Sequence, residues 1–146
     1  MAFVKQRFKS DCGVASLAML CDVTWEQARD AIVWPSRRYY TTTKQIRGAA
    51  WDLKFATMQG RLQIIRIPKT REWEGKLVDH KIWSLIPHNS LVKIPSGNEY
   101  SGRWHWMVWR NGKVYDPARG VFKPEKVGRV PSSYMEFWGF GKGERG

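Results

Sequence analysis

Four residues in this chain have types and spacings that could break an amide bond: Gln6, Cys12, His105 and Asp116. Cys12 opens the run CGVASLAMLC, which is small or apolar on every face, as expected of a buried helix. A helix start carries free N–H groups and the positive end of the macrodipole. Both favour the thiolate, which is the nucleophilic form of cysteine. The negative charge of Asp11 next to it pulls the other way, so a neighbouring imidazolium would have to outweigh it. Cys21 lies at the unfavourable end of the same helix and reads as structural.

The imidazole is found through a turn. Asn111-Gly112 stands between two strand-like runs, Trp104 to Arg110 and Lys113 to Tyr115. Both residues tolerate positive φ, the requirement of a two-residue type I′ hairpin. That loop sets Arg110 against Lys113, Trp109 against Val114, Val108 against Tyr115 and Met107 against Asp116. Faces alternate along a strand, so His105, Met107 and Trp109 share a face with Asp116. His105 and Asp116 become diagonal neighbours, with Cβ atoms somewhat under about 7–8 Å apart, near enough for a carboxylate to accept from an imidazole N–H. Acyl transfer through a thiol also needs donors for the developing oxyanion. The amide of Gln6, six residues before Cys12, and the N–H of Cys12 itself could supply two. Singly, each residue has a plain structural reading: a core histidine, an Asp-Pro turn, a packing cysteine, a surface glutamine. His80 and His88 have no comparable partner.

The elements that must position these residues fall into two halves. Ser10 or Asp11 reads as the N-cap of the Cys12 helix. Thr24 to Gln27 is a capping box opening a second helix, with Pro35 as its terminator. A third helix begins near Thr43, with Ile46, Ala49, Ala50 and Leu53 on one face. After Gly60 the texture changes to short apolar runs, Leu62 to Ile67 and Leu91 to Ile94, which read as strands. The hairpin follows, then short strands near Val121–Phe122 and from Glu136 to Phe140. Lys69 to His88 carries no assignable pattern. Helices first and strands second define an α+β chain with an antiparallel sheet.

Composition bounds the partners. The 146 residues suit one domain, read as 1–140 with a C-terminal tail over 141–146. Hydrophobic content of 42% excludes wholesale disorder, and no apolar run reaches the roughly 20 residues of a membrane-spanning helix. Two cysteines and no export signal point to a reducing cytoplasm, and neither a CxxC pair nor a Cys/His cluster has zinc-ligand spacing. The net charge of +12 attracts anions: nucleic acid, acidic protein, anionic lipid or cell-wall polymer. Its basic residues are dispersed, among them Lys5, Arg7 and Lys9, the pair Arg37-Arg38, and the series Arg61, Arg66, Lys69, Arg71.

The block Gln6-x5-Cys12-Gly13, with Asp11 before the cysteine and VASLAML after Gly13, followed much later by His105-Trp-Met-Val and Tyr115-Asp116-Pro117 with Gly120, resembles the papain-like cysteine peptidases. It is most similar to their bacteriocin-processing, double-glycine leader branch, over roughly Gln6 to Gly139. The resemblance implies a papain-like fold, a helical half packed on an antiparallel sheet. It implies Cys12 as nucleophile, His105 as base and then acid, Asp116 as the residue orienting the imidazole, and Gln6 with the Cys12 N–H as oxyanion hole. A peptide or protein substrate follows, with small residues such as Gly before the cleaved bond in that branch, and no cofactor. Family domains are commonly fused to a membrane transporter, whereas this sequence has no membrane segment, and Gln6 lies too near the start for a propeptide to precede it. The same three residues would also serve transglutaminase- or amidase-like acyl transfer, and a basic binding module on the same fold is the non-catalytic alternative.

Overall fold

A computed structural model describes residues 2–32, 40–62, 82–95, 104–129 and 131–140. Among these residues three α-helices come first: α1 (Cys12–Cys21), α2 (Trp25–Ala31) and α3 (Thr43–Asp52). Six strands follow: β1 (Phe55–Arg61), β2 (Ser90–Pro95), β3 (Trp104–Arg110), β4 (Lys113–Asp116), β5 (Gly120–Phe122) and β6 (Ser133–Gly139). They form one antiparallel sheet in the order β1-β6-β2-β3-β4-β5.

Every residue of α1 is buried, as its all-round apolar sequence demands. The helix lies between α2 and α3 on one side and the sheet on the other. Leu91, Trp106, Val108, Met135 and Phe137 project from the strands to meet it. The opposite face carries a second cluster, in which Val92, Ile94, Met107, Trp109 and Val114 pack on Trp83 and Ile86. β2 and β3 are therefore covered on both faces, which explains why they read as apolar runs rather than alternating ones.

Local signals hold where they were strongest. Thr24/Gln27 forms its capping box, and Thr42/Gln45 forms a second one at α3. The hairpin takes the expected register, Arg110↔Lys113, Trp109↔Val114 and Val108↔Tyr115, with Asn111 at φ 53 and Gly112 at φ 71. Several boundaries need correction. α2 ends at Ala31 because Ile32 turns extended, four residues before Pro35, which lies outside the described residues. The first strand begins at Phe55 rather than after Gly60; at the edge of the described sheet and paired there with β6, it shows no clean alternation. Leu62 follows that strand instead of starting one, and the remainder of the Leu62–Ile67 run lies outside the described residues. β6 starts three residues earlier than read, at Ser133. The basic residues Arg37, Arg38, Arg66, Lys69 and Arg71, together with His80 and the 141–146 segment, also lie outside the described residues.

Candidate active site

Cys12 is the first residue of α1, held at the junction of helices and sheet. Its depth depends on Gly13. A Cβ at that position would lie 1.9 Å from Thr41 Oγ1 and 2.9 Å from Trp106 Cδ1, so only glycine lets the helix start approach these two side chains. Trp106 is fixed in turn by its indole N–H, which donates to the Thr41 carbonyl at 3.3 Å.

Asp11 is the N-cap residue, but its side chain does not cap the helix. It is fully buried and turned the other way. Its carboxylate accepts from the peptide N–H of Arg7 (2.8 Å) and of Phe8 (2.7 Å) and from Trp25 Nε1 (2.7 Å). Three donors thus compensate the charge expected to oppose a thiolate, and the same bonds pin the chain that leads into Cys12.

The hairpin delivers the imidazole. Pairing between β3 and β4 stops at Val108↔Tyr115, one step short of Met107↔Asp116, and Asp116 pairs with Gly120 of β5 instead. Where β4 leaves β3, the N–H of Trp106 donates to Cys12 Sγ at 3.4 Å. His105 Nε2 lies 2.7 Å from Asp116 Oδ1, and both side chains are 3% exposed. The same Oδ1 accepts from Ala118 N at 2.9 Å. That is an Asx turn, so the structural and the functional readings of Asp116-Pro117 both hold.

Burial pushes the His105 imidazolium toward losing its proton, but the hydrogen bond to Asp116 and the hydrogen bond and charge of Cys12 outweigh it, raising its pKa to about 9. With Nε2 given to Asp116, Nδ1 is the nitrogen left for the thiol. A histidine held in one orientation by a carboxylate and hydrogen-bonded to a cysteine at a helix start is an arrangement suited to nucleophilic acyl transfer.

Gln6 is tied behind this cluster. Its N–H donates to the Pro117 carbonyl at 2.9 Å, next to Asp116. Its amide Nε2 donates to the Phe8 carbonyl at 2.6 Å, while Oε1 is buried without a partner. One of the two amide hydrogens is therefore engaged and one remains to be aimed. Cys21 is buried at the far end of α1, and His88 accepts from Asn111 N at the hairpin turn, away from His105. Among the described residues no group of three or more His, Cys, Asp or Glu could hold a metal ion. No described helix is long and apolar enough to cross a membrane.

Sequence reasoning missed Thr41, whose hydroxyl is buried beside Cys12 without a hydrogen-bond partner. Its only sequence trace is its place before the Thr42/Gln45 capping box. Tyr40, Thr41, Trp104 and Trp106 close the recess around Cys12 and His105 to about 10 Å³, roughly one water.

Helices on one face of an antiparallel sheet, with a buried Cys–His–Asp cluster where they meet, define a papain-like α+β fold, and solved structures agree. The chain is similar to a double-glycine motif protease from an AMS/PCAT transporter, solved in complex with the leader peptide, with a TM-score of 0.59 and 17% identity over 93% of this chain and 89% of that one. It is similar also to the peptidase domain of Streptococcus ComA, a bi-functional ABC transporter involved in a quorum-sensing pathway, with a TM-score of 0.61 and 15% identity over 93% of this chain and 96% of that one. The chain has the fold of these double-glycine peptidase domains. No family model and no curated protein matches it in sequence.

Proposed function

We propose that this protein is a cysteine peptidase, or isopeptidase, that cleaves an amide bond through an acyl-enzyme on Cys12. The observation that carries the reading is His105 held 2.7 Å from Asp116 while hydrogen-bonded to Cys12. With its pKa raised to about 9, the imidazole is protonated near neutral pH and stands beside Cys12 as the partner of its thiolate form. The thiolate Sγ then attacks the substrate carbonyl carbon. The oxyanion that forms is met by the Cys12 N–H and the free hydrogen of the Gln6 amide. As the carbon–nitrogen bond breaks, His105 passes its proton to the leaving amine. Water, deprotonated by His105, then attacks the thioester, and the carboxylate product leaves with the thiol restored.

The narrow recess limits the substrate. Flanked by Tyr40, Trp104 and Trp106, it favours small residues such as Gly next to the cleaved bond. Leader-like peptides, of the kind bound by one structural neighbour, fit that requirement. Cys12 and Cys21 are not joined in a disulfide, which suits a reducing compartment such as the cytoplasm.

The test is incubation of wild type and Cys12→Ala with a peptide library, read by mass spectrometry. Cleavage after small residues by wild type alone is the expected result. A product in which an added amine replaces water would reassign the chemistry to acyl transfer, and identical outcomes for the two proteins would remove the enzyme reading.

A further inference from the structure

Beside the closed recess lies an open pocket of about 570 Å³ between α3 and the strands β1, β6 and β2. Its cations come from three separate elements: Lys44 and Arg47 from α3, Arg61 from the end of β1, and Lys93 from β2. Among the described residues its wall contains no Asp or Glu, and none of the four cations forms an ion pair with another of them. Four positive charges around one concavity raise the local concentration of anions.

The pocket connects with the chemistry through two indoles. Trp106 lines both it and the recess of Cys12 and His105. The Lys93 ammonium lies 4.6 Å from the Trp104 ring centre and 5.6 Å from that of Trp106, and Trp104 also lines the recess. Lys93 therefore stands at the passage from one to the other. A substrate with its scissile carbonyl at Cys12 has only to cross Trp106 to place neighbouring side chains among the cations.

We propose that this pocket is a substrate subsite for acidic side chains, so that the enzyme selects peptides carrying Glu or Asp a few residues from the cleaved bond. The inference rests on the peptidase reading for its substrate, and on the pocket's own charge for its specificity. A peptide is favoured over single-stranded nucleic acid because base stacking needs aromatic faces open to solvent. Here the Trp106 side chain is buried, 3% exposed, Lys93 lies over the Trp104 ring, and the half-buried Tyr134 ring lies against Gly60.

Binding is measured by fluorescence anisotropy on Cys12→Ala, so that turnover does not interfere, with a fluorescein-labelled Gly-Glu repeat peptide as probe and a Gly-Gln repeat of equal length as control. The acidic peptide is expected to bind about tenfold or more tightly than the neutral one, and to lose that advantage at about 1 M salt, where screening reaches roughly 3 Å. Adding Arg47→Gln and Arg61→Gln, both at exposed positions, is expected to weaken the acidic peptide on the order of tenfold and to leave the neutral one unchanged. Lys93→Gln serves as a second variant, with thermal melts confirming folding. Equal affinity for the two peptides, no loss in either variant, or tighter binding of an oligouridylate of equal charge would overturn the subsite. Library cleavage separates the claims: cleavage indifferent to acidic residues removes the subsite alone, whereas charge-selective binding without cleavage supports the subsite and removes the peptidase reading.

Discussion

The indole N–H of Trp25 donates to the carboxylate of Asp11 at 2.7 Å, joining α2 to the residue that precedes Cys12. Asp11 is fully buried and also accepts the N–H groups of Arg7 and Phe8. Each buried donor left without its partner costs about 1–3 kcal/mol. With the indole bond buried and the two peptide N–H bonds partly buried, Asp11→Ala is expected to destabilise the fold by about 2 kcal/mol in urea denaturation. Trp25→Phe removes one donor of three and is expected to cost less, and the two changes should be non-additive because they share one bond. Additive losses, or a cost for Asp11→Ala below about 0.5 kcal/mol, would mean that the carboxylate does not hold the entry to α1.

His105 gives stability a defined pH dependence. Its pKa is raised to about 9, so the folded protein holds that proton more tightly than the unfolded chain, whose ordinary value is about 6.5. The stabilisation is complete below about 6.5 and is lost as pH rises through about 9. Thermal melts across this range should show a falling melting temperature that is shallower in Asp116→Asn, which weakens the hydrogen bond that most raises the imidazole. The kcat/KM for peptide cleavage should fall over the same alkaline limb, since the leaving amine then lacks its acid. An NMR titration placing His105 near 6.5 in wild type would refute both expectations.

Gly13 and Thr41 form a second coupled pair. A methyl group at position 13 would collide with Thr41 Oγ1 and crowd Trp106 Cδ1. Thr41 is β-branched and 2% exposed, so it has little room to give way. Gly13→Ala is expected to cost about 1–3 kcal/mol by overpacking. In a Thr41→Ala background the same change should cost clearly less, because the colliding oxygen is gone. Equal costs in the two backgrounds would show that the helix start is not packed against this hydroxyl.

What the sequence revealed and what it hid divide along range of interaction. The hairpin was legible because Asn111-Gly112 encodes its own register, and that register pointed His105 toward Asp116, although the pairing ends at Val108↔Tyr115 and Asp116 joins β5. α1 was legible because an all-apolar decamer has few places to go but inside. Asp11 holds the N-cap position that local rules assign it, but its carboxylate turns away from the helix, because it finds the Trp25 indole fourteen residues on in α2. β1 was missed because an edge strand is not obliged to alternate. The basic pocket was hidden for a related reason. Lys44, Arg47, Arg61 and Lys93 are scattered in sequence and meet only when α3 lies across the sheet.

Selective alkylation of Cys12 tests the site without a substrate. At pH about 6 an ordinary thiol of pKa near 8.5 is ionised to well under about 1%, so only a thiolate sustained by its surroundings reacts quickly with iodoacetamide. Cys12 is 6% exposed and Cys21 1%, so some difference in rate would follow from burial alone. The histidine separates the causes. Under burial control, His105→Ala opens space beside Cys12 and its labelling speeds up or holds steady. Under imidazolium control, His105→Ala should slow Cys12 by about tenfold or more, with Asp116→Asn falling between that variant and wild type. Mass-spectrometric labelling rates for both cysteines in the three proteins decide the matter. A Cys12 rate indifferent to His105 would leave the 2.7 Å contact between His105 and Asp116 as a structural hydrogen bond.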